Sequence, residues 1–183
     1  MVLIAVGGDL GACYAVHEYR KLVRREEIVL VTDSTRVGYA RTLLPYYAVG
    51  LAKSPVLIGK EMLSIVDLVK VVPASSFELA VDGEVKIGRK GYASPRMLFS
   101  LWPALRERDV IDLLTPEDSE LLREEMEKRR RVVVTGGCAA LSVVDAMLRV
   151  GVEVQLAWSC DGFDDDIASL IAEDLRRQNV KMM

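Results

Sequence analysis

The sequence has 183 residues, of which 51% are hydrophobic and 28% charged, and its formal net charge is −3. These values fit one soluble domain or two small ones, and the slight negative charge disfavours binding to nucleic acid. No apolar run is long enough to span a membrane, and three cysteines without a pattern are typical of a cytoplasmic protein. A single histidine and no clustered cysteines predict no metal site.

The first predicted elements are a buried strand, a glycine turn and a helix. Val2–Val6 is continuously apolar, Gly7 and Gly8 form the turn, and residues 11–25 have apolar residues at helical spacing. Residues 28–33 form the next strand, so the segment predicts a βαβ unit. The stripe expected to face the core consists of Ala12, Ala15, Val16, Tyr19, Leu22 and Val23.

Shorter elements follow in the middle of the chain. Residues 38–50 predict an aromatic loop or a short helix, and residues 61–70 predict a helix. Residues 77–88 alternate apolar and polar side chains about Asp82 and Gly83, which is typical of a β-hairpin.

The last third of the chain repeats the first pattern. A helix predicted from Pro116 leads to a strand at 132–134, a turn at Gly136 and Gly137, a second amphipathic helix and a strand at 152–158. The repeat predicts an α/β fold: a Rossmann-like parallel sheet with flanking helices, two βαβ units and a small β-hairpin. A last helix, with an apolar stripe formed by Ile167, Leu170, Ile171 and Leu175, precedes a short final strand.

The order of these segments resembles the flavin-dependent pyridine nucleotide–disulfide oxidoreductases, in the branch of CoA-disulfide reductases, NADH oxidases and sulfide:quinone reductases. "VGGDLGACYAVHEYRK" looks like the FAD pyrophosphate turn, "GYARTLLPYYAVG" is similar to the Y-S-R-x-x-L-P-Y-Y segment, and "DVIDLLTPEDSELLREEMEKRRRVVVTGG" is similar to the stretch that enters the NAD(P)H-binding insert. The resemblance is to a truncated and degenerate member. It implies an FAD-domain-like part at residues 1–110 and an NAD(P)H-domain-like part at 111–183, which can also pack as one globule.

The resemblance further implies a site for FAD or another adenine nucleotide at the first turn. Glycines would let the backbone approach the phosphates, an acid would bond the ribose, and an arginine would pair with phosphate. Asp33 also fits a turn-starting acid, and Arg41 also fits a packed aromatic loop. The implied residues are Gly7, Gly8, Gly11, Asp33 and Arg41.

Both turns depart from the G-x-G-x-x-G pattern. Val6 replaces the first glycine of the first turn, and Asp9 would compete with a pyrophosphate for the amides of the helix N-terminus. In the second turn Thr135 and Ala140 replace two glycines, and Trp158 replaces the ribose-binding acid, which disfavours NAD(P)H.

Cys138 is a weak candidate for a catalytic residue, because a predicted helix N-terminus favours the thiolate. It also fits a small residue at a close contact between helix and strand. Cys13 and Cys160 fit buried small residues, and the position of the family's redox cysteine lies close to Thr42, which forms no mixed disulfide.

Two functional hypotheses remain open. The first is a relative of these oxidoreductases that has no redox catalysis of its own and acts as a binding or structural partner. The second is an FAD-binding, NAD(P)H-dependent oxidoreductase or a subunit of one. Self-association or a protein partner is expected, through the final segment or residues 39–47.

Overall fold

The structure is a computed structural model, and it describes residues 2–32, 34–58, 69–73, 77–79, 85–92, 96–99, 111–128, 131–160 and 162–183. The chain divides into two compact units. Met1–Arg41 and Ser54–Glu117 form the first unit, and Thr42–Lys53 and Asp118–Met183 form the second. The division expected at residues 110 and 111 stays a prediction.

A parallel sheet of four strands lies at the centre of the first unit. Its strands, in spatial order, are β3 (Lys70–Pro73), β2 (Glu27–Thr32), β1 (Val2–Val6) and β7 (Arg96–Phe99), and each neighbouring pair is parallel. The elements of this unit, in chain order, are β1 (Val2–Val6), α1 (Leu10–Leu22), β2 (Glu27–Thr32), β3 (Lys70–Pro73), β4 (Phe77–Leu79), β5 (Val85–Ile87), β6 (Lys90–Tyr92) and β7 (Arg96–Phe99).

This parallel sheet is covered on both faces, which explains why β1 is apolar at every position. Side chains alternate along a strand, so Leu3 and Ala5 pack with α1, whereas Ile4 and Val6 pack on the opposite face. The residues on that opposite face include Val85, Ile87 and Tyr92 of β5 and β6. Strands β4, β5 and β6 pair as an antiparallel sheet.

The predicted hairpin is therefore present as β4 and β5, although its turn at Asp82 and Gly83 lies outside the described residues. The helix predicted over residues 61–70 falls outside them as well, except at its end. There Val69 is buried and Lys70 begins β3, so the prediction of a helical Lys70 was wrong. Strand pairing outweighs helical spacing at that position.

The second unit contains the second βαβ unit. Its elements are α2 (Leu44–Ala48), α3 (Pro116–Lys128, which begins at the end of the first unit), β8 (Arg131–Gly136), α4 (Cys138–Arg149), β9 (Glu153–Trp158), α5 (Asp165–Arg177) and β10 (Lys181–Met182). Strands β8, β9 and β10 are parallel neighbours. Their core includes Val134, Val144, Met147, Val154, Leu156 and Leu175. The predicted fold class, with two βαβ units and a small hairpin, is thereby confirmed.

The stripe predicted on α1 was wider than the face that packs, and part of the apolar stripe on α5 is exposed. Leu22, the last residue of α1, is 83% exposed, and Ile167 and Leu170 on α5 are 46% and 62% exposed. Ile171 and Leu175 of α5 do contact the core. Each helix rests on a sheet along one side only, so part of a broad apolar stripe stays in water.

Candidate functional site

The first turn follows directly from β1 and leads into α1. Gly7 has a φ of +130°, a conformation that favours glycine, and its N–H donates to the carbonyl of Val31 at 2.8 Å. A Cβ on Gly8 would overlap Thr32 Oγ1 and lie 3.3 Å from Tyr39 Cε1. Both glycines of the turn are thus required by the backbone and its packing, whether or not a ligand binds.

Asp9 is the N-cap of α1 and lies at its N-terminus. Its Oδ1 accepts a hydrogen bond from Ala12 N at 2.9 Å. Its Oδ2 accepts from Arg41 Nε at 3.1 Å and Nη2 at 2.8 Å. The Asp9 residue is only 9% exposed, so this carboxylate is a buried, charge-paired group at the positive end of the helix.

The amides of this turn donate to acceptors within the protein. Besides those of Gly7 and Ala12, the N–H of Leu10 donates to Tyr39 O at 2.8 Å and that of Cys13 to Asp9 O at 3.2 Å. These are the kinds of groups that cradle a pyrophosphate in a dinucleotide-binding turn. In this arrangement they do not fit a pyrophosphate, because a carboxylate and three carbonyls already accept their hydrogen bonds.

The structure brings some of the implied cofactor residues together and leaves others apart. Gly7 and Gly8 directly precede Asp9 in the turn and Arg41 pairs with it, whereas Gly11 lies on the exposed side of α1. Asp33 lies outside the described residues. Sequence reasoning noted that Asp9 would compete with a phosphate but missed its pairing with Arg41, which lies 32 positions away in a loop without periodicity.

The loop that follows β2 is held by Glu117 of α3. Its carboxylate accepts from Ser34 Oγ at 2.8 Å, from Thr35 Oγ1 at 2.6 Å and from Thr35 N at 3.1 Å. Partial burial disfavours the charged form of Glu117, but the hydrogen bonds from Thr35 and Ser34 outweigh it and lower its pKa. Sequence reasoning missed this contact, for which the position of an acid in the first turn of a helix was the only available signal.

The second turn has a similar backbone and no carboxylate cap. Gly136 has a φ of +139°, and Gly137 is the N-cap of α4 without a side-chain hydrogen bond. Ala140 is buried, and a Cβ on Gly136 would only touch it, at 3.5 Å. The N-cap residue of the second helix therefore does not fill the helix N-terminus with its own side chain, as Asp9 does in the first.

Trp158 ends β9 at the place where a ribose-binding acid was expected. Its ring packs against the core of the second unit and lies 5.7 Å from that of Phe163. Its Nε1 is buried and has no hydrogen-bond partner among the described residues. An indole offers a donor and no acceptor, so this position does not suit a ribose hydroxyl as donor. The expectation that NAD(P)H does not bind stays a prediction.

The aromatic segment is packed into the protein. Tyr39 is 1% exposed in the first unit. In the second unit Tyr46 donates to Asp145 at 2.7 Å and Tyr47 to Glu120 at 3.0 Å. Hydrogen bonds from Arg149 and Tyr46 lower the pKa of Asp145.

The three cysteines have different environments. Cys13 is buried, and burial, with a contribution from Asp9, raises the pKa of its thiol to about 11. Cys138, the first residue of α4, and Cys160, just beyond β9, are both exposed. The expectation that Cys160 is buried was wrong, because the chain leaves the sheet before this residue.

Two further findings concern the described part of the chain only. It contains no group of three or more His, Cys, Asp or Glu side chains that could hold a metal ion. No helix in it is long and apolar enough to cross a membrane. The cytoplasmic location stays a prediction.

Comparison with known proteins gives matches at the level of structure. No protein-family model and no curated protein matches the sequence. A reduced CoADR-RHD from Bacillus anthracis matches with a TM-score of 0.68 and 18% identity, over 100% of this chain and 38% of that one. An NADH-bound, water-forming NADH oxidase from Lactobacillus brevis matches with a TM-score of 0.70 and 18% identity, over 100% of this chain and 46% of that one.

An NAD-dependent persulfide reductase from A. fulgidus also matches, with a TM-score of 0.70 and 18% identity, over 100% of this chain and 39% of that one. The chain thus spans less than half the length of each of these three proteins. Such low identity establishes the fold alone. This chain has the fold of the flavin-dependent pyridine nucleotide–disulfide oxidoreductases that its sequence resembles.

Proposed function

We propose that this protein is a binding or structural partner built on a dinucleotide-binding fold, without flavin-dependent redox catalysis of its own. The observation that supports the proposal is Asp9, which occupies the N-terminus of α1 and is paired with Arg41. The protein supplies an internal anion where relatives of this fold would place a phosphate. Arg41 then serves as the counterion of that anion.

Electrostatics explain why this arrangement opposes a pyrophosphate. A phosphate placed about 4 Å from the Asp9 carboxylate would meet a repulsion of about 1 kcal/mol in water and about 4 kcal/mol at an effective dielectric of 20. Moving Asp9 away would break its bonds to Ala12 N and Arg41 and take a carboxylate away from a partly buried cation. FAD binding would therefore have to overcome an unfavourable free energy that is absent from a turn made of glycines alone.

A second candidate function is an FAD-binding, NAD(P)H-dependent oxidoreductase or a subunit of one. It is favoured by Gly7 and Gly8, which keep the tight turn, and by Arg41, a phosphate-binding residue type close to the helix N-terminus. In that case Asp9 rotates away when a nucleotide enters, and Arg41 pairs with the phosphate.

The flavin content of the wild type and the effect of Arg41→Gln distinguish the two candidates, and Asp9→Asn measures how much the charge of Asp9 opposes a nucleotide. Asparagine keeps the side-chain acceptor of an N-cap and removes the charge. Under our proposal the purified wild type lacks the visible absorption of flavin. Calorimetry with ADP then shows affinity at least about tenfold higher for Asp9→Asn than for wild type, equivalent to about 1.4 kcal/mol. Arg41→Gln leaves the wild-type result unchanged.

The matched control is Asp145→Asn. Like Asp9→Asn it removes a carboxylate that is paired with an arginine, but Asp145 lies in the second unit and accepts from Tyr46 and Arg149. It should not change ADP affinity. Circular dichroism shows whether each variant is folded. A wild-type protein that carries stoichiometric FAD, reduced by NADH and lost in Arg41→Gln, would establish the second candidate instead.

A further inference from the structure

The carboxyl ends of two neighbouring strands bring a pair of cysteines to one edge of the second unit. Strands β8 and β9 are parallel, and Gly136 pairs with Trp158 at the end of the ladder. Cys138 follows Gly136 by two residues, and Cys160 follows Trp158 by two residues. Each cysteine thus lies two residues beyond the last ladder pair, at the same edge of the sheet.

The two segments that follow β8 and β9 stay close beyond the last pair of the ladder. Ser159 N donates to Gly136 O at 3.0 Å, and a Cβ on Gly137 would lie 3.7 Å from Ser159 O. Neighbouring strands are about 4.8 Å apart, and a disulfide joins Cα atoms roughly 4.4–6.8 Å apart. The residues that precede the two cysteines, Gly137 and Ser159, therefore lie close to each other.

The environment of the pair is suited to reaction with a solute. Cys138 and Cys160 are both exposed, and neither forms a disulfide. Gly137 offers α4 no side-chain cap, so no carboxylate of its own competes with a thiolate at the helix N-terminus. Glycine at 136, 137 and 162 allows the backbone on both sides of the pair to adjust.

We propose that Cys138 and Cys160 form a reversible thiol pair, which closes to an intramolecular disulfide by exchange with a small-molecule disulfide. The thiolate of one cysteine attacks the small disulfide, forms a mixed disulfide and releases one small thiolate. The second cysteine then attacks the protein sulfur of the mixed disulfide, forms the protein disulfide and releases the other small thiolate. The protein loses two electrons and two protons, and the small disulfide becomes two thiols.

This site goes beyond the proposed function and does not depend on it. The pair lies in the second unit, whereas Asp9 lies in the first. The disulfide would join the segment that begins α4 to the segment that leaves β9, at the edge where ligands of open α/β sheets bind. Its state would set how far those two segments can separate.

The test uses the whole 183-residue chain and oxidised glutathione as the probe. After the reaction, free thiols are alkylated and the protein is digested with trypsin, which places Cys138 in residues 132–149 and Cys160 in residues 150–176. We expect these two peptides to be joined by a disulfide that a reductant cleaves. Because a neighbouring thiol acts at a millimolar effective concentration, the cross-linked form should exceed the doubly glutathionylated form by at least about tenfold.

Variants separate this reaction from non-specific oxidation. Cys138→Ser and Cys160→Ser should each stop at a mixed disulfide on the remaining exposed cysteine. Cys13→Ala, which changes a buried thiol, should keep the cross-link. Glutathione on both exposed cysteines without a cross-link would overturn the proposal, as would a disulfide between two copies seen as a doubled mass on a non-reducing gel.

Discussion

At the scale of single residues, the hydroxyl oxygen of Thr32 excludes any side chain at Gly8 in the first turn. The side chain of Thr32 fills the space into which a Cβ of Gly8 would project, and Thr32 Oγ1 also accepts a hydrogen bond from Ser34 N at 3.1 Å. We predict that Gly8→Ala destabilises the protein by about 2 kcal/mol, as overpacking in a close contact does. Urea denaturation measures the change in the free energy of unfolding.

A double-mutant cycle tests the cause of that loss. Thr32→Ala alone should cost about 1 kcal/mol because Ser34 N loses its acceptor. Added to Gly8→Ala, it should recover part of the stability, since the overlapping atom is gone. Gly137→Ala is the control, because its Cβ would make only ordinary contact with Ser159 O. Strictly additive effects of the two substitutions would contradict this explanation.

Glu117 gives the first unit a predicted dependence on pH. Its pKa is lower in the folded protein, so its hydrogen bonds stabilise the fold above the pKa of the unfolded chain. That contribution is lost as the pH falls through the lowered folded pKa. We predict that Glu117→Gln costs about 1 kcal/mol at neutral pH, after allowance for partial exposure, and almost nothing in acid.

Melting curves of wild type and Glu117→Gln across the acid range provide the measurement. The matched control is Glu120→Gln, whose carboxylate accepts from Tyr47 on the same helix but in the second unit. If the difference in melting temperature between wild type and Glu117→Gln grows as the pH falls, the carboxylate does not stabilise the loop after β2.

Residue-scale features differ in how far a sequence reveals them. The need for glycine at position 7 follows from a strand that must turn at once into a helix. The pairing of Asp9 with Arg41, and of Glu117 with Ser34 and Thr35, joins loop or helix-end residues that lie 32 to 83 positions apart. No periodicity connects such positions, so only the folded chain shows them.

At the scale of single elements, α5 has both buried and exposed apolar residues. Leu175 is 8% exposed and packs in the core, whereas Leu170 is 62% exposed. We predict that Leu175→Asp unfolds the second unit or costs more than about 3 kcal/mol, because a charge cannot be buried there without a partner. Leu170→Asp should change stability by less than about 0.5 kcal/mol. Thermal melting of both variants provides the comparison.

The same contrast decides how self-association should be tested. A change in mass after Leu175→Asp would not distinguish loss of an interface from loss of the fold. Leu170→Asp keeps the fold, so light scattering behind a sizing column reports on association through α5. Equal melting temperatures for the two variants would show that the assignment of buried and exposed faces on this helix is wrong.

Element prediction succeeded where burial and period agree. Strand β1 was predicted with its observed bounds, because burial on both faces makes every position apolar. Helix ends were less accurate: α1 was predicted over residues 11–25 and spans Leu10–Leu22. Capping by Asp9 fixes its start, and Val23 has already taken an extended backbone at its end.

At the scale of the whole molecule, the order of the two βαβ units was predictable and the path of the chain between the units was not. The repeat of strand, glycine turn, helix and strand is visible in the sequence. The membership of Thr42–Lys53 in the second unit depends on contacts that no pattern encodes. They include Tyr46 with Asp145, and Arg123, which donates to the carbonyls of Tyr47 and Ala48.

That discontinuous second unit has a consequence for the time course of folding in the cell. Tyr46 and Asp145 are 99 positions apart, and a ribosome adds about 5–20 residues per second, so Asp145 is made on the order of 5–20 s after Tyr46. Throughout that interval α2 exists without the helix on which it packs. The contact between Tyr46 and Asp145 therefore forms only after about a hundred further residues have been added, and the second unit acquires this native contact only when translation has passed α4.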